Sequence, residues 1–275
     1  MPLPAPQLIT SAQNPRIKGV LALRKRAERD RSRQMLVDGY DELAVAVKSG
    51  ARPASLYYCP ALVRDQAQTW IVTATQNLGT EVFQLSEAVF RRIAYREAPD
   101  GWLAVLPAIE TGLGRLRLGQ DPLLLVCESV EKPGNLGAML RTADAAGVDA
   151  VISSPTVTDW GNPNVVRASK GAVFSVPVAE SAPEELSAWL RGQGIAIVAA
   201  TLESEIPYTA ASLKGGVAIV VGAESGGLSE PWLQAADVEV RIPMFGRLNS
   251  LNVATSAALL VYEAIRQRGQ VTTGG

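Results

Sequence analysis

Three stretches of the sequence combine glycine with short polar or charged side chains, and they are the best candidates for chemistry. They are Glu131 to Gly137, Gly222 to Leu228 and Phe245 to Asn252. Glycine lets the backbone come close to a ligand, and Glu224 adds a charged group to the second stretch. Arg141 is predicted to project from the first turn of the helix after the first stretch, toward whatever that loop holds. Each stretch follows an apolar, strand-like run, and in open α/β sheets ligands bind where strands end.

The third stretch leads into a long helix. Asn249, Ser250 and Asn252 lie where this helix begins, and side chains of this kind accept hydrogen bonds from free backbone N–H groups. Apolar residues then recur from Val253 to Ala264 at helical spacing, which predicts one buried face. A capped helix without further function is the competing interpretation.

Neither of the first two stretches has the spacing of a common nucleotide-binding loop. The GxGxxG pattern is absent after the first strand, which argues against a dinucleotide site. The second stretch lacks the Gly-Lys-Ser/Thr sequence that cradles a triphosphate. A single glutamate in a glycine-rich loop can also be a turn residue, so a purely structural role for Glu224 stays open.

The composition excludes several mechanisms. The chain of 275 residues has no histidine and two cysteines. Zinc sites of the usual Cys/His kind, Ser-His-Asp triads and Cys-His pairs are therefore impossible. Cys127 ends the apolar run that begins at Leu123, which indicates a small buried hydrophobic residue rather than a nucleophile.

One segment carries a dense positive charge. Between Asn14 and Arg33 there are eight basic and two acidic residues, a net charge of +6, whereas the whole chain has a net charge of −1. This density is typical of a surface that binds phosphate backbones, and we predict one basic helix over residues 15–33. A solvated helix with internal ion pairs is the alternative. The candidate RNA-binding residues are Arg16, Lys18, Arg24, Lys25 and Arg26.

The pattern of apolar runs predicts two α/β domains. Residues 1–106 form a small module, residues 107–121 are a glycine-rich linker, and residues 122–275 alternate strands with helices, as in a mostly parallel sheet covered on both faces. No apolar run approaches the roughly 20 residues that span a bilayer. The N-terminus lacks the pattern of a signal peptide, so we expect a cytoplasmic protein with no membrane partner. Helices are predicted at 61–76 and 138–146, and strands at 123–127, 149–153, 195–200, 217–222 and 238–242.

In order and spacing, the three stretches resemble the motifs of the SpoU/TrmH branch of the SPOUT methyltransferases. The matching segments are GNLGAMLRTADAAG at 134–147, IVVGAESGGL at 219–228 and IPMFGRLNSLNVA at 242–254, and residues 167–177 are also similar to the family. These enzymes transfer a methyl group from S-adenosylmethionine to a ribose 2′-hydroxyl of RNA. The resemblance implies this activity, with S-adenosylmethionine as co-substrate and no metal.

The first 105 residues look like the substrate-binding domain, similar to ribosomal protein L30e, that many family members carry. This favours ribosomal RNA as the substrate, most directly 23S rRNA. The resemblance also implies a deep trefoil knot in the C-terminal SPOUT domain. It further implies a homodimer with the motif helices at the interface.

Roles for single residues follow from the same resemblance. Arg141 matches an invariant arginine that has been regarded as the base for the 2′-hydroxyl proton. A guanidinium is always protonated and has no acceptor, so a clamp on the target phosphate is the second interpretation. Ser250 and Asn252 would shape the ribose site, Asn135 would hold the first loop or the substrate, and Glu224 would orient Arg141 or Asn252. The cofactor-binding positions would be Leu202, Gly222, Ile242, Met244 and Leu251.

Three rival interpretations stay open at this stage. The same motifs would serve an enzyme that methylates transfer RNA, and within ribosomal RNA they serve both housekeeping and antibiotic-resistance methylation. A catalytically silent RNA-binding protein that keeps the knot is a different class, although the presence of Arg141, Glu224 and Asn252 argues against it. A general α/β cofactor-binding protein is the third.

Overall fold

A computed structural model describes residues 5–223 and 226–269. Its contacts divide the chain into two compact units. The first comprises residues 1–109 and 159–175, and the second comprises residues 110–158 and 176–275. Residues 159–175 thus pack with the N-terminal unit although they follow the sequence-predicted boundary. The domain limits at 106 and 121 stay a prediction.

The first unit is built on a mixed sheet of five strands: β1 (Gln7–Ile9), β2 (Gln34–Asp38), β3 (Ser55–Tyr58), β4 (Glu81–Leu85) and β5 (Trp102–Pro107). The strand order is β1-β4-β3-β5-β2. β4 runs parallel to β1 and β3, whereas β5 is antiparallel to β3 and β2. Ile17, Phe90 and Leu103 are fully buried in the core of this unit.

Helices cover this sheet, and we number them along the chain. They are α1 (Pro15–Ala22), α2 (Arg26–Ser32), α3 (Tyr40–Lys48), α4 (Trp70–Asn77), α5 (Glu87–Ile93) and, from the later segment, α7 (Pro163–Ala168). The helix predicted over 61–76 was wrong in its first half, because regular helix begins only after residue 69. Asp65 accepts a hydrogen bond from the N–H of Ala67 at 2.8 Å and starts a short 3-10 turn there.

The single basic helix predicted over 15–33 was also wrong, since the structure has α1 and α2 with a break between them. Arg29 explains the break. Its buried guanidinium donates hydrogen bonds to the carbonyl oxygens of Leu23 and Arg24, at 3.2 and 3.1 Å. A continuous helix would use both carbonyls for its own backbone bonds. The chain therefore ends one helix and starts another around this side chain.

The second unit has six strands: β6 (Leu123–Cys127), β7 (Ala150–Ser153), β8 (Val178–Glu180), β9 (Ala196–Ala200), β10 (Val217–Val221) and β11 (Val238–Val240). Their order is β11-β9-β10-β6-β7-β8, and every neighbouring pair is parallel. The prediction of a mostly parallel sheet is confirmed. The pattern of apolar residues did not predict β8, because three residues are too short for a recognisable pattern, whereas the resemblance of residues 167–177 to the family implied a helix and a strand there.

The described part of this unit also contains the α-helices α6 (Pro133–Ala146), α8 (Pro183–Gly192), α9 (Glu230–Ala235) and α10 (Val253–Arg268). α6 begins five residues before the predicted start at residue 138. Pro133 is at its first turn, where the missing N–H costs nothing, and Gly147 ends it with φ 66°.

α10 packs against α6 and against β10 and β6, and Leu260 and Val261 are fully buried. The predicted apolar face of the C-terminal helix is confirmed. The trefoil knot stays a prediction. Among residues 5–223 and 226–269, every helix is too short or too polar to cross a membrane.

Candidate functional site

A cavity of about 480 Å³ opens at the carboxyl ends of three neighbouring strands of the second unit. Ala200, Val221 and Val240, the last residues of β9, β10 and β11, form its floor. Parallel strands bring their carboxyl ends to one edge of the sheet, so loops far apart in sequence meet there. All five predicted cofactor-binding residues line the cavity: Leu202, Gly222, Ile242, Met244 and Leu251.

Gly222 holds the second loop tightly folded at the end of β10. A Cβ atom there would lie 2.1 Å from the carbonyl oxygen of Gly227 and 2.7 Å from the amide nitrogen of Leu228. Real Cβ atoms essentially never come this close to backbone, so no other residue fits without moving the loop. The N–H of Gly227 closes the turn on the carbonyl of Ala223 at 3.1 Å.

Glu128 fixes the far end of the same loop, and sequence reasoning missed it. Only 4% of this residue is exposed, and its carboxylate accepts hydrogen bonds from both the backbone N–H and the hydroxyl of Ser229. Ser229 is the N-cap of α9, so the carboxylate also satisfies a helix N-terminus. The available signal was an acidic residue directly after the buried strand β6.

The first and third loops meet through two asparagine side chains. The amide nitrogen of Asn252 donates to the side-chain oxygen of Asn135 at 3.1 Å, across 117 positions of the chain. Asn252 also caps α10 by accepting from the N–H of Ala254 at 3.0 Å. Asn252 therefore uses its side-chain oxygen for the helix cap and its side-chain nitrogen for the contact with Asn135, and its role in the reaction stays a prediction.

A smaller cavity of about 180 Å³ adjoins the first. Both cavities share Ala223 and Val253 as lining residues, and Asn135 lines the smaller one together with Glu131 and Lys132. The hydroxyl of Thr158 donates to the backbone carbonyl of Glu131 at 2.6 Å and holds this loop. A ligand in the larger cavity would therefore lie next to a second recess lined by Glu131, Lys132 and Asn135.

Comparison with known proteins decides the family. Residues 122–262 match the model of the SpoU rRNA Methylase family, and residues 14–104 match the MRM3-like substrate binding domain. The chain belongs to the SpoU rRNA methylase family.

Two relatives and one solved structure extend this finding. The 23S rRNA (guanosine(2553)-2′-O)-methyltransferase RlmP of Bacillus subtilis is 30% identical, over 92% of this chain and 97% of its own. The 23S rRNA (uridine(2479)-2′-O)-methyltransferase of Streptomyces viridochromogenes is also 30% identical, over 96% and 94%. The AdoMet-bound rRNA methyltransferase from Sinorhizobium meliloti is 29% identical with a TM-score of 0.87, over 94% and 97%. The mostly parallel α/β fold agrees with this family.

The remaining predicted catalytic residues of this SpoU-family chain lie in different places. Ser250 lines the large cavity. Arg141 is exposed in the third turn of α6, not in the first turn as predicted, because the helix begins earlier. Its side chain lines neither cavity and, within residues 5–223 and 226–269, makes no hydrogen bond or ion pair. Glu224 lies outside the described residues.

Three of the five candidate RNA-binding residues already contact other groups of the protein. Arg16 makes two hydrogen bonds to the Glu81 carboxylate, at 2.8 and 2.9 Å, and its guanidinium lies 4.5 Å from the centre of the Phe83 ring. Arg24 donates to carbonyl oxygens at the end of α5, with 2.7 Å to Ala94. Arg26 pairs with Asp30 at 3.5 Å. Lys18 and Lys25 are exposed, so they are the candidates best placed to contact phosphate.

Both cysteines are buried, as the apolar run around Cys127 predicted. Burial raises the pKa of the Cys127 thiol to about 12, and its Sγ lies 3.3 Å from the sulfur of Met139. A thiol in this state is neither nucleophilic nor accessible.

We therefore expect Ellman's reagent at pH 8 to titrate no thiol in the native protein and both thiols after denaturation. Fast labelling of one thiol in the native state would contradict this placement of the cysteines.

Proposed function

We propose that the protein transfers a methyl group from S-adenosylmethionine to a ribose 2′-hydroxyl of 23S ribosomal RNA. The observation that carries the proposal is the cavity at the ends of β9, β10 and β11, because all five predicted cofactor-binding residues line it. The relatives are named for methylation of 23S rRNA, and a similar structure contains AdoMet. The N-terminal match to a substrate binding domain agrees with a large RNA substrate.

The volume and the lining of the cavity suit S-adenosylmethionine. The lining combines the side chains of Leu202, Ile242, Met244 and Leu251 with the tight backbone turn at Gly222. Apolar side chains offer contacts to the apolar parts of such a ligand, and backbone groups offer hydrogen bonds to its polar parts. S-adenosylmethionine supplies an electrophilic methyl group on a sulfonium. The protein positions the acceptor hydroxyl, and such positioning can supply much of the rate enhancement.

We assign the acceptor side of the reaction to the smaller cavity and to the Asn135–Asn252 link. Asn252 lines neither cavity and shapes the ribose site through its bond to Asn135, which lines the smaller cavity and holds the first loop or the substrate. Ser250 lines the large cavity and shapes the ribose site from the cofactor side. Arg141 clamps the target phosphate and orients the hydroxyl, or it stabilises the alkoxide as it forms. Glu224 orients Arg141 or Asn252. Lys18 and Lys25 contact the phosphate backbone further along the RNA, with Arg16, Arg24 and Arg26 as additional basic groups.

Replacing Arg141 by lysine tests the clamp. We expect kcat to fall at least about ten-fold while the affinity for S-adenosylmethionine stays unchanged, since lysine keeps the charge but cannot form the planar two-pronged contact. Arg115→Lys, an exposed position outside both cavities, is the matched control. Near-normal turnover of the Arg141→Lys enzyme would contradict the clamp.

We also propose that the active enzyme is a homodimer joined through α6 and α10, in the cytoplasm. Leu259 and Tyr262 on α10 are 37% and 50% exposed, one helical turn apart, and a second copy would cover them. Sedimentation equilibrium should give twice the 29.1 kDa chain mass, and Tyr262→Glu should shift the protein toward monomer. A wild-type protein that sediments as a monomer would contradict the interface.

Cell fractionation tests the cytoplasmic location, and we expect the protein in the cytoplasmic fraction.

Methyl transfer tests the proposed function itself. Labelled S-adenosylmethionine is incubated with unmodified 23S rRNA and, in parallel, with unmodified transfer RNA. We expect label at one ribose of the ribosomal RNA only. Label in transfer RNA would keep the chemistry and overturn the substrate, whereas cofactor binding without transfer to either RNA would overturn both. Failure to bind the cofactor would favour a silent RNA-binding protein.

A further inference from the structure

The loop between Met244 and Asn249 adjoins the large cavity and is exposed to solvent. Met244 and Asn249 line the cavity, whereas the four residues between them do not. Phe245 is 98% exposed and Leu248 is 76% exposed. A Cβ at Gly246 would have no neighbouring atom within 4 Å. The chain thus leaves the cavity wall, carries a phenylalanine into solvent and returns to the wall.

A ring that projects fully into water is unfavourable in the free protein and becomes favourable when a partner covers it. We propose that Phe245 stacks on an unpaired base of the substrate RNA next to the nucleotide to be methylated, with Arg247 on the adjoining phosphate. This inference rests on the proposed function, because it takes the large cavity as the S-adenosylmethionine site.

Charge and position favour RNA as the partner at this loop. Residues 241–262 contain two arginines, Arg241 and Arg247, and no acidic residue. Both arginines are exposed, so the surface around the ring is positive and suits phosphate. Every base has a flat π face, so one aromatic ring can hold a base of any identity. The loop joins the wall of the cofactor cavity on both sides, and a base stacked there lies beside the methyl donor.

Direct binding to unmodified 23S rRNA transcribed in vitro tests the stacking, with four variants of the full-length protein. We expect Phe245→Ala to weaken RNA affinity about ten-fold or more and to raise the KM for RNA to match. Phe245→Trp should bind as well as the native protein. Phe245→Leu, which keeps apolar area but has no π face, should lose nearly as much as alanine. Ile206→Ala, an exposed apolar position of the same unit outside the cavity, is the control.

Three results would overturn the inference. RNA affinity of Phe245→Leu equal to the native value would exclude stacking. A Phe245→Ala protein that no longer dimerises would show that the ring is covered by a second copy. A ten-fold loss of S-adenosylmethionine affinity would make the ring part of the cofactor site. Native protein that binds the cofactor without methylating RNA would instead count against the proposed function, and the RNA-binding comparison would still decide the role of Phe245.

Discussion

Gly222→Ala is expected to weaken the binding of S-adenosylmethionine at least about ten-fold. The added methyl group would overlap the backbone of residues 227 and 228, with 2.1 Å to the Gly227 oxygen, so the loop must move out of the cavity wall. We expect at least a ten-fold loss of cofactor affinity and about a hundred-fold loss in kcat/KM, with a stability cost of about 1–3 kcal/mol from overpacking. Calorimetric titration with S-adenosylmethionine measures the first effect.

Gly192→Ala is the matched control. This glycine ends α8 in the same unit, and a Cβ there would meet no atom within 4 Å. The control should bind the cofactor like the native protein, and circular dichroism should show both variants folded. Native-like affinity in a folded Gly222→Ala protein would contradict the placement of the cofactor against the second loop.

Arg29→Met should destabilise the first unit by about 3–5 kcal/mol, the second large effect we expect. The Arg29 side chain is 5% exposed and donates two hydrogen bonds to Asp159, at 2.6 and 3.1 Å. Its removal leaves a largely buried carboxylate unpaired and frees the carbonyls of Leu23 and Arg24. Breaking a buried pair by removing one partner costs this much because the remaining charge stays desolvated. Urea unfolding, followed by tryptophan fluorescence, measures the change.

Two further variants distinguish the effect of losing this buried ion pair from the effect of losing any arginine charge. Arg91→Ala removes an exposed arginine paired with Glu87 at 2.8 Å and should cost under about 1 kcal/mol. The double variant Arg29→Met with Asp159→Leu should regain much of the loss, since no unpaired charge remains. Equal unfolding midpoints for Arg29→Met and Arg91→Ala would contradict the assigned role of the buried pair.

The strands of the second unit could be predicted because each is a short, continuous apolar run. Leu123–Cys127 is buried at every position, and the observed strand has the predicted limits. The start of α6 was missed because Pro133 and Gly134 are also typical of a turn, and only the geometry shows them in the first helical turn. The presence of a helix or strand was therefore easier to predict than the residue at which a helix begins.

Hydrogen bonds between side chains far apart in the sequence could not be predicted, either in the fold or in the candidate site. The break between α1 and α2 depends on Arg29 and Asp159, which are 130 positions apart. Local periodicity contains no information on such a pair, so the basic segment was predicted as one helix. The Asn135–Asn252 link has the same character, and the resemblance to a family proposed both residues without their contact. Glu128 was missed because its partner, Ser229, is 101 positions away.

The identity of the acceptor atom is the most direct test of ribose 2′-O-methylation. Once the methylated nucleotide is mapped, the same RNA is prepared with a single 2′-deoxyribose at that position and incubated with labelled S-adenosylmethionine. We expect no transfer to the deoxy RNA, although this RNA should still bind and compete with unmodified RNA. Label retained on the deoxy nucleotide would place the methyl group on a base and contradict ribose 2′-O-methylation.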